Sequence, residues 1–160
     1  MFKIQNLILV FSLFSVFSTA FGQLKIGDKL PEIQLQNNKD VAIDLQSYQG
    51  KVVLVDFWAS WCAPCRVANK RMAPFYNQYK SKQFEVVAIS VDTDKLKWTN
   101  AIAKDKLEYV QLLDPNGFDA KSAVLFGVEQ LPSSYLFDTS GALVMINPTE
   151  EEIVQLINKK

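Results

Sequence analysis

The sequence contains no histidine. That excludes Ser-His-Asp and Cys-His nucleophilic catalysis, and every zinc or copper site that needs an imidazole ligand. Cysteine is nearly absent: Cys62 and Cys65 are the only two, three positions apart. Two thiols are too few for a disulfide-stapled mini-fold or an all-cysteine zinc site. A charge excess is missing as well, with 17 Lys+Arg against 17 Asp+Glu. There is neither the basic footprint of a nucleic-acid binder nor an acidic disordered tail. A length of 160 residues bounds the chain to one ordinary domain with at most a short appendage.

The appendage is residues 1–22, which hold 14 hydrophobic residues and five of the eleven Phe. Lys3 and the α-amino group form a short positive region, and Leu7 to Phe17 is apolar except for Ser12 and Ser15. Ala20 and Gly22 then place small residues at the −3 and −1 positions before Gln23, which reads as a cleaved secretory signal peptide. Ser18 and Ala20 mark a second cleavage point. The competing reading is an uncleaved membrane anchor, but a spanning helix needs about 20 apolar residues, and the run from Leu7 to Phe21 is shorter and carries three Ser and a Thr. The expected mature domain is 23–160, in a periplasmic or otherwise extracytoplasmic compartment.

Export changes what two cysteines mean, because disulfides persist outside the cytosol. A bridge across two intervening residues closes a tiny loop and is a poor staple. A Cys-x-x-Cys pair at a helix start is instead a good reversible dithiol.

The mature chain shows no repeat, low-complexity stretch or linker. Ile33–Gln36 and Val41–Leu45 alternate around Asn37-Asn38-Lys39, as a short hairpin does. Val52 to Phe57 and Glu85 to Val91 are near-continuous apolar runs, the mark of strands covered on both faces. Arg66 to Lys82 has helical composition interrupted by Pro74, and Asp94 to Lys104 reads as an amphipathic helix. Tyr109–Leu113 is a short strand and Phe118–Phe126 a helix. Ser134–Phe137 and Ala142–Ile146 flank a turn, and Thr149 with Glu152 forms a capping box for the last helix. Parallel strands joined by helices and closed by an antiparallel hairpin predict a three-layer α/β/α sheet, with an N-terminal β-hairpin and a central helical insertion.

The chemistry lies in Val55-Asp56-Phe57-Trp58-Ala59-Ser60-Trp61-Cys62-Ala63-Pro64-Cys65-Arg66. This stretch follows a buried strand and opens a helix, the context a redox Cys-x-x-Cys requires. Free N–H groups and the positive end of the helix dipole favour the Cys62 thiolate. Cys65, a turn further in, is expected to be more buried. Cys62 is therefore the attacking thiol and Cys65 the resolving one. Pro64 suits the first turn; Trp58 reads as core and Trp61 as surface. Asp56 is a carboxylate in an apolar strand, costly unless paired or protonated. As a buried acid of raised pKa it could take the proton from Cys65. Cys62, Cys65 and Asp56 are the candidate catalytic set.

The string DFWASWCAPCR resembles the thioredoxin active site, and the chain after residue 23 resembles the exported TlpA/ResA-like thiol–disulfide oxidoreductases. The likeness runs from IGDKLPEIQL through GKVVLVDFWASWCAPCR and EVVAISVD to VEQLPSSYLFDTSGALV. It implies a thioredoxin-like fold and no cofactor. It also implies that Pro132 is the family's cis-proline beside the cysteines, and that the Leu131 backbone lines the peptide groove. Trp61, Ala63, Pro64, Leu131 and Pro132 are then the substrate-contact surface. Asp56 matches the family's buried acid, and Asp92 and Asp94 are candidates for a second acid near the site. Two positions depart from the family pattern: Lys70 stands where a kinking proline is usual, and Ala68 where an acid is common.

Strong oxidants of this superfamily place a histidine between the cysteines; Ala63-Pro64 supplies no such group, so a reducing dithiol is expected. Its partners would be disulfides of exported proteins, apocytochromes before haem attachment among them by family analogy, and a membrane thiol-transfer electron donor. Two rival readings are a thiol peroxidase and a thiolate metal-binding module. The peroxidase reading lacks the Pro and Thr/Ser expected seven and three residues before the reactive cysteine, where Val55 and Ala59 stand. Two thiolates could hold Cu(I), but Met72 and Met145 read as core rather than as further ligands.

Overall fold

The structure is a computed structural model and describes residues 23–159; the proposed signal segment 1–22 lies outside the described residues. One mixed sheet of seven strands organises the chain. In chain order its elements are β1 (Gln34–Asn37), β2 (Ala42–Asp44), β3 (Val52–Trp58), α1 (Ala63–Tyr79), β4 (Phe84–Ser90), α2 (Lys95–Asp105), β5 (Val110–Leu113), α3 (Lys121–Phe126), β6 (Ser133–Phe137), β7 (Leu143–Ile146) and α4 (Glu150–Asn158). The spatial order is β2-β1-β5-β4-β3-β6-β7. β3, β4 and β5 are parallel, while β6, β7 and the β1–β2 hairpin are antiparallel to their neighbours.

β3 and β4 lie at the centre and are covered on both faces, which is why neither alternates. Every residue of β4 is buried, as are Val52, Val53, Leu54, Val55, Phe57 and Trp58 of β3. The period of two then sorts β3 between layers. Leu54 and Asp56 face a groove shared with Ala68 and Met72 of α1 and Ile153 of α4. Phe57 faces the other way, 5.1 Å from Phe126 of α3 and 5.9 Å from Tyr135 of β6. Helices on both faces make the three layers that the sequence predicts.

The N-terminal hairpin is part of the same sheet, because β1 pairs antiparallel with β5. Three helices carry side-chain caps. Cys62 caps α1, Asp94 caps α2 through the N–H groups of Leu96 and Lys97, and Thr149 with Glu152 completes the capping box of α4. Two elements differ from the sequence expectation. α1 starts three residues before Arg66 and runs unbroken past Pro74. The helix expected over 118–126 is split at Ala120 into a 3₁₀ turn over Gly117–Asp119 and α3. No helix of the described residues is long and apolar enough to cross a membrane.

Candidate active site

β3 runs through the middle of the sheet and leads to the N-terminus of α1, so the cysteines sit at the carboxyl end of a parallel strand, where α/β folds place their sites. Cys62 and Cys65 are joined by a disulfide, with Cα atoms 5.3 Å apart. Cys62 occupies the N-cap position, and its sulfur accepts a hydrogen bond from the Cys65 backbone N–H at 3.2 Å. That donor is one of the orphan groups of the first turn, and it points at the Cys62 sulfur. Ala63 and Pro64 fill the first two helical positions. Both sulfur-bearing residues are largely covered, Cys62 at 5% and Cys65 at 1% exposure.

Around them the surface is apolar and open. Trp61 is 61% exposed and packs edge-on against Phe118, with ring centroids 6.5 Å apart. Trp58 is fully buried. Ala63, Pro64 and Pro132 are exposed and Leu131 is half-buried. The Leu131–Pro132 peptide bond is cis.

Asp56 is half-buried and lines a groove of about 700 Å³ whose walls include Pro132, Arg71 and Met72. Burial pushes its carboxyl up to about 7. Across the sheet Asp56 is in register with Ala88, and Ala88 with Gln111. The side of the sheet under α1 and α2 is unusually polar. Among the described residues, all the buried side-chain polar atoms lacking a well-formed hydrogen bond belong to Trp58, Asn69, Trp98, Asp105, Tyr109 and Gln111. Asn69 lies four residues after Cys65 on α1, one turn along the same face. Burial, and then the charge of Asp56, raise the Tyr109 hydroxyl far above its ordinary value.

Of the two candidates for a second acid, Asp94 is the α2 cap and lies on the surface. Asp92 is buried and holds the loop that leads to Cys62. Its carboxylate accepts the Ser60 N–H at 2.7 Å, the Ser60 hydroxyl at 2.6 Å and the Ser90 hydroxyl at 2.7 Å. Arg66 closes the same loop from the other side. Its Nη1 donates to the Ser60 carbonyl at 3.2 Å and its Nε pairs with Asp105 at the end of α2. Asp105 has no solvent-exposed side-chain surface and lies against Arg66 and Lys70; the Arg66 hydrogen bond holds its carboxyl below the usual range. Sequence reading marks Asp92 but not its partner Ser60, and it misses Arg66–Asp105 altogether. Those partners are 32 and 39 positions apart, beyond any local pattern.

A family model described as the AhpC/TSA family matches residues 26–146. The chain belongs to that family. The thiol-disulfide oxidoreductase ResA of Bacillus thuringiensis subsp. konkukian is 27% identical over 152 residues, covering 93% of this chain and 86% of that protein. A structure from Chlorobium tepidum assigned as the thiol:disulfide interchange protein DsbE matches with a TM-score of 0.78 and 30% identity, covering 85% of this chain and 100% of that one. A thiol:disulfide interchange protein from Bacteroides sp. matches with a TM-score of 0.74 and 27% identity, over 85% of this chain and 92% of that one. This AhpC/TSA member is a thioredoxin-like thiol–disulfide oxidoreductase of the ResA/DsbE type.

Proposed function

We propose that the protein reduces disulfides of exported proteins, and that residues 1–22 direct the 23–160 domain to the compartment where those disulfides form. The observation that carries this is the placement of Cys62 as the N-cap of α1, its sulfur accepting the Cys65 N–H. In the reduced form the same contact and the helix dipole stabilise the Cys62 thiolate. That thiolate attacks one sulfur of a client disulfide, forming a mixed disulfide and releasing the other client sulfur as thiolate. Cys65 then gives up its proton and displaces Cys62's partner. The client leaves as a dithiol, and the two cysteines end as the disulfide seen here.

Asp56 is the acceptor for the Cys65 proton, directly or through one water. An acid held near 7 can both take and return a proton at neutral pH. Trp61, Ala63, Pro64, Leu131 and Pro132 form the surface on which an extended client segment lies across Cys62. Ala63-Pro64 offers no positive or hydrogen-bonding side chain to stabilise the reduced thiolate further, which supports a reducing direction. A reductant in an oxidising compartment needs its own electron source, so a membrane-bound thiol-transfer donor restores the dithiol. Apocytochromes awaiting haem fit as clients.

The test is a Cys65→Ser variant expressed with its leader. Cys62 can still attack but nothing resolves the product, so covalent adducts with exported proteins should accumulate and dissolve on thiol treatment. A Cys65→Ser protein that stays free of adducts under those conditions contradicts the reading.

A further inference from the structure

Pro132 leads into β6, on one side of β3; α2 lies over the other. On the α2 side, a groove of about 340 Å³ runs from Trp61 and Ser60 to the outer face of the helix. Arg66, Lys97 and Lys104 line it, with Asn100 between them, and no carboxylate does. The groove on the Pro132 side has the opposite character, with Glu150 and Glu151 against Arg71 at its mouth. A chain with equal numbers of positive and negative residues is thus polarised across its reactive sulfur.

The nearby acids, Asp92 behind Ser60 among them, offset Arg66 but leave Lys97 and Lys104 of α2. Arg66 is occupied by Asp105 and the Ser60 carbonyl, and Lys70 also faces Asp105 at 3.6 Å. Lys97 lies 3.8 Å from Asp94, but both are well exposed, and such a pair is worth little in water. Lys104 has no ion pair among the described residues. Lys97 and Lys104 therefore remain for a ligand, next to the exposed rings of Trp61 and Phe118.

We propose that this groove receives an acidic segment of the client polypeptide, so that the enzyme favours disulfides whose reacting cysteine is flanked within a few residues by Asp or Glu. The proposal rests on the oxidoreductase reading and names its substrate class. A client sulfur bonded to Cys62 brings the neighbouring residues over Trp61, and each further residue of extended chain reaches about 3.3 Å. Trp61, the residue before Cys62, itself lines the groove, so the client chain beside the mixed disulfide runs into it. The attraction acts on encounter and on the mixed disulfide and leaves the bond exchange itself unchanged: the Cys62 thiolate bonds to the client sulfur, and the leaving thiolate departs with the electron pair of the broken S–S bond.

The experiment uses the reduced protein and three synthetic peptides, each with one cysteine carried as its mixed disulfide with 5-thio-2-nitrobenzoate. Their flanks are acidic, neutral or basic. At low ionic strength the acidic peptide should react roughly tenfold faster than the neutral one and the basic peptide slower, with the differences shrinking as salt is added. K97E/K104E should bring the acidic-to-neutral ratio to one or below, and K97Q/K104Q to an intermediate value. Equal rates for acidic and neutral peptides, or an acidic advantage that survives in K97E/K104E, overturn the proposal. Reaction of the neutral peptide without an acidic advantage leaves the oxidoreductase reading standing and removes only the charge selection. No reaction with any peptide removes both.

Discussion

Burial holds the Asp56 carboxyl at about 7, some three units above its unfolded value, and this has a sign that can be measured. The folded protein binds this proton more tightly than the unfolded chain does. The stability that follows is fully present below about pH 4 and is lost as pH rises through 7, where the buried group must ionise. Asp56→Asn removes the ionisation. The variant should be more stable than the parent by about 2–4 kcal/mol at pH 8.5, with the gain falling towards zero near pH 4. Urea denaturation at the two pH values measures it, and a gain independent of pH would show that Asp56 is not a buried neutral acid. Asp56 was legible in the sequence because a carboxylate inside an apolar strand is costly. Asn69, Tyr109 and Gln111 were not, since a single Asn, Tyr or Gln carries no comparable signal until the packing of α1 on the sheet buries it.

Among the elements, the loop between β3 and α1 depends on one carboxylate. Asp92 satisfies the N–H and the hydroxyl of Ser60, two residues before Cys62. Asp92→Ala strands those donors and should cost about 1–3 kcal/mol. Hydrogen exchange at the Ser60 amide should also speed up more than exchange at amides of β6, which Asp92 does not touch. Unchanged exchange at Ser60 would mean that the loop is held by Arg66 and local turns instead. The central strands and α4 could be read from sequence because apolar runs and a capping box are local signals. The course of α1 could not. Pro74 predicts an interruption, but it and Lys70, whose carbonyl loses its helical donor, are both exposed, so water satisfies that carbonyl and the helix continues. The split before α3 has a distant cause too: buried Asp114 accepts the Ser122 N–H and hydroxyl at 2.9 and 2.8 Å, fixing where that helix begins.

On the scale of the molecule, the chain reads as a redox site on a sheet, with specificity added at its flanks. The proposed reacting groups lie within ten residues, from Asp56 to Cys65, which is why they were visible before any fold was known. The groove that would choose a client joins Trp61 and Arg66 to Lys97 and Lys104, and only the packing of α2 against α1 assembles it. The absence of histidine bears on both descriptions: in the proposed reaction a carboxyl takes the proton, and Ala63-Pro64 stands between the thiols. In the proposed function this dithiol gives electrons away. Equilibrating the Cys62–Cys65 pair against glutathione buffers tests it most directly. The expected potential is nearer that of thioredoxin, about −270 mV, than that of a strong oxidant. A value close to −120 mV, the level of DsbA, would contradict it.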